Sequence, residues 1–409
     1  MSMFSLSAPV HCRSAFATIV ASSFSLALAT HPVAAADSGL LSDDVPGGTT
    51  LQAMISETGS WESNPLLLFQ DAKPLYGSIT TPVLILTSKT PTSQLGVDTR
   101  VNENLFNQSS FNSTDVHQKI NLAHQTEQWG IAFEQHTDYD TTRTSELLPT
   151  GVGGVSVNRG VRHLGVSFAP KLVYTPNATN QFALDGSIAN SQYDDAIFSD
   201  YLTASVTPSY THKFDPRNAG ILSLQTQRYM STTGPDVTVD NIGPSVGWVA
   251  ALSPELTAKV AGGMQATRQY GSGAVQKSWS PQYTYSASLT YKDEQDNALL
   301  SAERTNYPFG NASEALLTTL SAKDTHQLNE LFSVNFGASY QSADFQSTAN
   351  GSLDYLINGN GGLAYHMTDE LDLAGTYQYR YETLNGVSGN AQDHKITIGV
   401  VYHPRAWSL

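Results

Sequence analysis

The chain of 409 residues has room for two or three ordinary domains or for one large barrel. Its formal net charge of −15 argues against a nucleic-acid partner. Its only cysteine, Cys12, lies in a segment that reads as removable, so disulfides, thiolate nucleophiles and cysteine metal sites are excluded from the remainder.

The first element in chain order is an export signal. Arg13 precedes the apolar Ser14–Ala29 stretch, and Ala34-Ala35-Ala36 supplies an A-x-A cleavage site, which assigns residues 1–36 to a signal peptide. Pro32 closes the apolar run short of the roughly 18 residues that a membrane helix needs. Residues 37–49 are polar and glycine-rich and read as a periplasmic leader, with the barrel proper expected over 50–409.

From there the chain alternates. Leu164, Val166, Phe168, Leu172 and Tyr174 oppose Gly165, Ser167, Ala169 and Lys171. Around Asp215–Asn218, Val206, Pro208, Tyr210, His212 and Phe214 form one apolar row, and Leu222 and Leu224 resume it. Tyr283, Tyr285, Leu289 and Tyr291, then Phe332, Val334, Phe336 and Tyr340, then Leu371, Leu373, Tyr377, Tyr379 and Tyr381 repeat the pattern. Ile396, Ile398, Val400 and Tyr402 close it. Period two at this length is a strand signal. Pro208 removes a ladder donor, which predicts a bulge.

Short turns are expected at Thr90-Pro91, Glu127-Gln128, Thr175–Asn177, Asp215–Arg217, Ser253–Glu255, Glu294–Asp296, Leu328–Glu330 and Thr368–Glu370. Longer polar loops fall between them, the first at Glu62–Tyr76 and the seventh at Tyr307–Ala312. This partition predicts an all-β chain: a single transmembrane antiparallel up-and-down β-barrel of about 18 strands, with about 16 as the alternative. The short turns then face the periplasm and the long loops the exterior.

A soluble sandwich also alternates, but its strands run about five or six residues and its connections are not systematically short then long. Aromatics near the strand ends, Tyr174, Phe214, Tyr291, Tyr340, Tyr379, Tyr381 and Tyr402, suit an interface girdle. The opposite phase places Lys119, Lys171, Asp185, Lys259, Lys292, Asn335, Gln378, Arg380 and Glu382 in the lumen. There they form either a transverse field that sorts solutes or ion pairs that hold the wall. The histidines are scattered without triad or metal spacing, and His212 reads as interfacial. Asp138, Asp140, Asp194 and Asp195 fall in expected outward loops and read as solvated acids in preference to sites for divalent cations that bridge lipopolysaccharide. No catalytic group, cofactor or metal is assigned.

The stretches "ETGSWESNPLL" (Glu57–Leu67), "DYDTTRTSELLPTG" (Asp138–Gly151), "TPSYTHKFDPRNAGILSLQTQRY" (Thr207–Tyr229) and "NIGPSVGWVAALSPELTAKVAGGMQATR" (Asn241–Arg268) resemble a proteobacterial outer-membrane family, the putative β-barrel porins of the type associated with exopolysaccharide operons. The resemblance spans almost the whole chain after residue 36. It implies a barrel of the 18-strand class in the outer membrane and carries no catalytic residue. Pro404–Leu409, following Tyr402, departs from the usual aromatic end of such chains. The expected function is passive or semi-selective passage of small solutes, against an accessory role in exopolysaccharide secretion or a barrel-borne hydrolase. Expected partners are outer-membrane lipid, lipopolysaccharide and the barrel-assembly machinery.

Overall fold

The computed structural model describes residues 47–142, 161–196, 198–272, 278–309, 313–345 and 353–409. The expected signal peptide lies outside them. The first nine strands are β1 (Gly48–Glu62), β2 (Leu75–Lys89), β3 (Ser93–Phe106), β4 (Ser113–Gln125), β5 (Trp129–Thr141), β6 (Arg162–Asn177), β7 (Asn180–Tyr193), β8 (Tyr201–Lys213) and β9 (Asn218–Ser231). The next nine are β10 (Thr238–Ala251), β11 (Leu256–Tyr270), β12 (Ser280–Lys292), β13 (Asp296–Phe309), β14 (Ser313–Gln327), β15 (Phe332–Phe345), β16 (Leu353–Thr368), β17 (Leu371–Leu384) and β18 (Ala391–Tyr402). A two-residue β19 (Trp407–Ser408) follows. Each of β1 to β18 pairs antiparallel with its chain neighbours among them, and β18 pairs with β1 from Tyr402–Ile55 to Lys395–Glu62. The sheet therefore closes into a ring, as a strand array in lipid requires.

The barrel is apolar outside and polar inside. Val246 is 66% exposed and Ile398 64% exposed on the outer face, whereas Ser223, Ser245 and Thr267 on the inner face are buried. A soluble sheet would show the reverse. Cross-strand hydroxyl pairs knit the inner face: Ser187 with Ser205 at 3.0 Å, Ser223 with Ser245 at 2.6 Å, Ser301 with Ser321 at 2.6 Å and Thr376 with Thr397 at 2.6 Å. These short side chains satisfy one another and leave the bore unobstructed along that wall.

Two aromatic rings bracket the outer face. At the end with the short turns, Trp129 stacks on Tyr174 at 4.4 Å, Phe214 on Trp248 at 5.0 Å and Phe332 on Tyr365 at 4.7 Å, with Tyr291 and Tyr402 at the same end. At the other end Tyr340, Tyr355 and Tyr381 form a row of stacked rings 6.0 Å apart, and Tyr379 lies 5.1 Å from His394. His212 keeps company with Tyr210 and Phe214 and meets the Asn180 side chain at 2.9 Å.

The short turns are held by side chains. Asp215 accepts the Arg217 N–H at 2.7 Å and the Asn218 side-chain amide, and these donors hold its carboxyl below the usual carboxylate range. Asp293 accepts the Tyr291 hydroxyl at 2.6 Å and the backbone N–H groups of Asp296 and Gln295, with the same result.

Three sequence expectations are corrected. Thr175–Asn177 belongs to β6, and the turn is Ala178-Thr179, where Asn177 Oδ1 accepts the N–H groups of Thr179 and Asn180. β1 begins at Gly48, inside the stretch assigned to the leader. Pro208 makes no bulge. It stays opposite Leu184 of β7, and on the β9 side the pairing lapses between Val206–Thr226 and Ser209–Ser223 with the register unchanged. Beside the lapse, Thr226 Oγ1 donates to the Val206 carbonyl at 2.6 Å and ties β9 to β8 there. The C-terminal departure has a structural place: Trp407 and Ser408 pair with Leu51 and Thr50 of β1, which overhangs β18 at that end.

Candidate functional site: the lumen and its mouth

Alternation and closure together decide what lines the lumen. It holds a space of about 960 Å³ bordered by Ser187, Ser205, Thr207, Ser223, Ser286 and Ser288, with Glu127, Lys171, Asp185, Lys259, Glu303 and Arg304 as the charged members. Lys171 and Asp185 are cross-strand partners 3.2 Å apart. The wall built by β3–β6 is more highly charged. Lys119 meets Glu134 at 3.3 Å, His136 meets the same carboxylate at 2.6 Å, His117 meets Asp138 at 2.7 Å, and Arg162 meets Asp115 at 2.7 Å. The β3–β6 side of the bore thus carries most of these ion pairs, and the hydroxyl-rich side carries the single pair Lys171–Asp185 among those named.

The remaining inward residues have distinct places. Lys292 is exposed at the periplasmic rim. Gln378 donates to Asn358 at 2.9 Å. Asn335 lies opposite Gly362, where an added Cβ would come within 2.7 Å of its amide nitrogen. A glycine is therefore required for that side chain to lie flat on the wall.

Arg380 and Glu382 point inward but do not border open lumen. Arg380 Nη2 bonds Glu62 at 2.6 Å, Asp393 at 2.9 Å and the Pro65 carbonyl at 3.3 Å, and Glu382 is 0% exposed. Lys395 adds a contact to Glu62 at 3.7 Å. Asp393 also accepts from the Asn64 N–H at 2.7 Å and the Ser63 hydroxyl at 3.1 Å. This cluster fastens the β1–β2 connection to the inside of the wall. Asn64 then exchanges two 2.9 Å bonds with the backbone of Leu68, and Leu67, at φ 49°, is fully buried. The "WESNPLL" segment is thus a loop tucked into the mouth.

A second element enters the mouth from the other side. The β12–β13 ladder ends at Tyr285–Arg304, although β12 continues with β11 to Ser280 and β13 continues with β14 to Phe309–Ser313. The β15–β16 ladder likewise ends at Gln341–Leu356, while β15 follows β14 to Phe345. Beyond those points the tops of β13, β14 and β15 leave the wall together as a flap.

Side-chain bonds show where the flap goes. Asn306 donates to Gln265 at 2.8 Å, and Asn241 donates to Glu314 at 2.7 Å. Gln265 and Asn241 are inward residues of β11 and β10, so the flap passes inside β12 to reach them. Thr267 donates to Asn241 at 2.6 Å and Gln265 donates to Gln225 at 2.7 Å, which extends the contact into the wall. The opposite side of the flap is apolar: Tyr307, Ala315, Leu317 and Ala343 pack with Leu67, Leu353, Leu356 and Ala391. The mouth is therefore narrowed by a partition with one polar and one apolar side. The sequence expectation had placed Tyr307–Ala312 in an external loop, whereas Tyr307–Phe309 belongs to this inward strand.

Several histidine–carboxylate contacts were not anticipated, because each joins residues on different strands. His117–Asp138, His163–Asp140, His326–Asp296 and His366–Asp372 are direct register partners, so a correct register was the signal that could have found them. They are spread over both rims and are not gathered round one reacting centre. Among the described residues, no three His, Cys, Asp or Glu side chains are grouped as a metal site.

No curated protein matches the sequence. Among solved structures, the outer-membrane channel DcaP of Acinetobacter baumannii shares 12% identity over 88% of this chain and 100% of its own, with a TM-score of 0.42. OccK1 (OpdK) of Pseudomonas aeruginosa shares 10% identity over 88% of this chain and 99% of its own, with a TM-score of 0.46. The family pattern described as Putative beta-barrel porin 2 matches residues 47–403, all eighteen long strands included. The chain belongs to that family of β-barrel porins.

Proposed function

We propose that this barrel is a channel for passive or semi-selective passage of small polar solutes across the outer membrane. The observation that carries the reading is the inner face: a space of about 960 Å³ bordered mainly by hydroxyl-bearing side chains and by the Lys171–Asp185 pair, within a closed ring of eighteen strands. Rings of this size leave room for water. Hydroxyl-rich walls offer hydrogen bonds to neutral polar solutes without holding them, and the opposed charges polarise the solution between them.

The tucked loop and the flap support selection by size. An accessory role in exopolysaccharide secretion would need that partition to leave the mouth while polymer passes. Proteoliposome swelling separates the two readings. A channel admits small neutral sugars at a rate that falls steeply with solute size, whereas a secretion accessory gives no swelling and its deletion removes surface polymer. Export by an N-terminal signal predicts that the mature protein begins at Asp37, which N-terminal sequencing reads directly.

A further inference from the structure

On the lipid side of the barrel, at the end with the long connections, two arginines break the apolar phase. Arg228 of β9 and Arg268 of β11 flank Asp240 of β10, and all three belong to the outward row that continues below them as Leu224, Ile242, Val246 and Met264. Arg228 Nε meets Asp240 Oδ1 at 2.6 Å and its Nη2 meets Oδ2 at 3.2 Å; Arg268 Nη2 meets Oδ2 at 3.5 Å. Asp240 is 15% exposed between them, while the arginines remain 52% and 39% exposed. Two cations against one carboxylate leave a net positive charge facing the membrane.

The arrangement is fixed in advance. Arg268 lies 5.0 Å from the centre of the Tyr270 ring and 4.9 Å from that of Trp279, and its Nε finds no hydrogen-bond partner. Tyrosine and tryptophan belong at the headgroup level of a membrane, so these rings place the guanidinium there. A cation deeper on the lipid face would be strongly unfavourable, and the penalty vanishes only near the interface.

We propose that Arg228 and Arg268 bind a phosphate of lipid A in the surrounding lipopolysaccharide. A planar guanidinium presents paired donors that match phosphate oxygens, and Asp240 sets the spacing of the two forks. A soluble phosphate is the poorer candidate, because the row lies on the face that meets acyl chains. Asp240 competes with the phosphate for the same donors, which gives the site a signature of opposite signs.

The test uses the full mature chain folded in detergent, with native mass spectrometry of bisphosphorylated and fully dephosphorylated lipid A as probes and heat-modifiable gel migration as the folding control. Wild type is expected to bind the bisphosphorylated form about tenfold more tightly, and R228Q/R268Q to lose about tenfold in that affinity. D240N is expected to bind more tightly than wild type. The proposal is overturned if R228Q/R268Q binds like wild type, if D240N loses as much as the double variant, or if inorganic phosphate displaces lipid A at equal concentration.

Discussion

Asn306 of β13 donates its side-chain amide to Gln265 of β11 across 2.8 Å, although β12 lies between those two strands in the barrel wall. A side chain can make that reach only if β13 has left the wall and passed inside β12. The bond therefore defines the flap. N241A/Q265A removes both polar anchors while leaving the apolar side of the flap packed. We expect single-channel conductance to rise by about twofold with more frequent switching between levels; unchanged conductance and noise would show that the flap does not limit the bore.

Arg380 is the counter-charge for two carboxylates that are 4% and 0% exposed, Glu62 and Asp393. R380Q leaves them buried without that partner, a change that destabilises by about 3–5 kcal/mol. The expected readouts are a lower temperature of heat-modifiable unfolding and protease cleavage within Ser63–Pro74. Little loss in either readout from D393N, which removes the charge but retains an acceptor for the Asn64 N–H, would argue that the hydrogen bonds matter more than the charge.

Lys171 and Asp185 face each other in the lumen 3.2 Å apart, on the hydroxyl-lined side. K171Q leaves Asp185 without that cation beside the permeation path. The reversal potential in a salt gradient is expected to shift toward cation preference, by about twofold in permeability ratio. An unmoved reversal potential would place the current elsewhere.

The Asp215 turn carries a pH signature. Its carboxyl is held below the usual range by the Arg217 N–H first and the Asn218 amide second. The stabilisation is then full above the ordinary carboxylate pKa and is lost as pH falls through the lowered folded value. Wild type should unfold at a higher temperature than D215N at neutral pH, and the difference should close in acid. A difference that persists under acid conditions would attribute it to packing.

Much of the barrel was legible because its strands obey one local rule. Alternation and turn residues are both short-range features, and they place the wall and most of its turns. The flap was not legible from alternation alone, since the period continues unbroken through Arg304–Phe309. The available signal was chemical: Arg304, Asn306 and Glu314 occupy a phase that should meet lipid, and that phase is too polar for it. The anchor of the first loop was hidden for another reason. Glu62 and Arg380 are far apart in the chain, and only closure of β18 on β1 brings them together. Pro208 misled because the ladder can skip a proline without shifting register when the pairs on either side of it hold.

The central claim is that this barrel conducts, and planar-bilayer recording of the purified mature protein tests it most directly. Wild type is predicted to insert in discrete conductance steps, with larger steps from N241A/Q265A. Silence from both proteins, across salts and voltages and with folding verified by heat-modifiable migration, would contradict it.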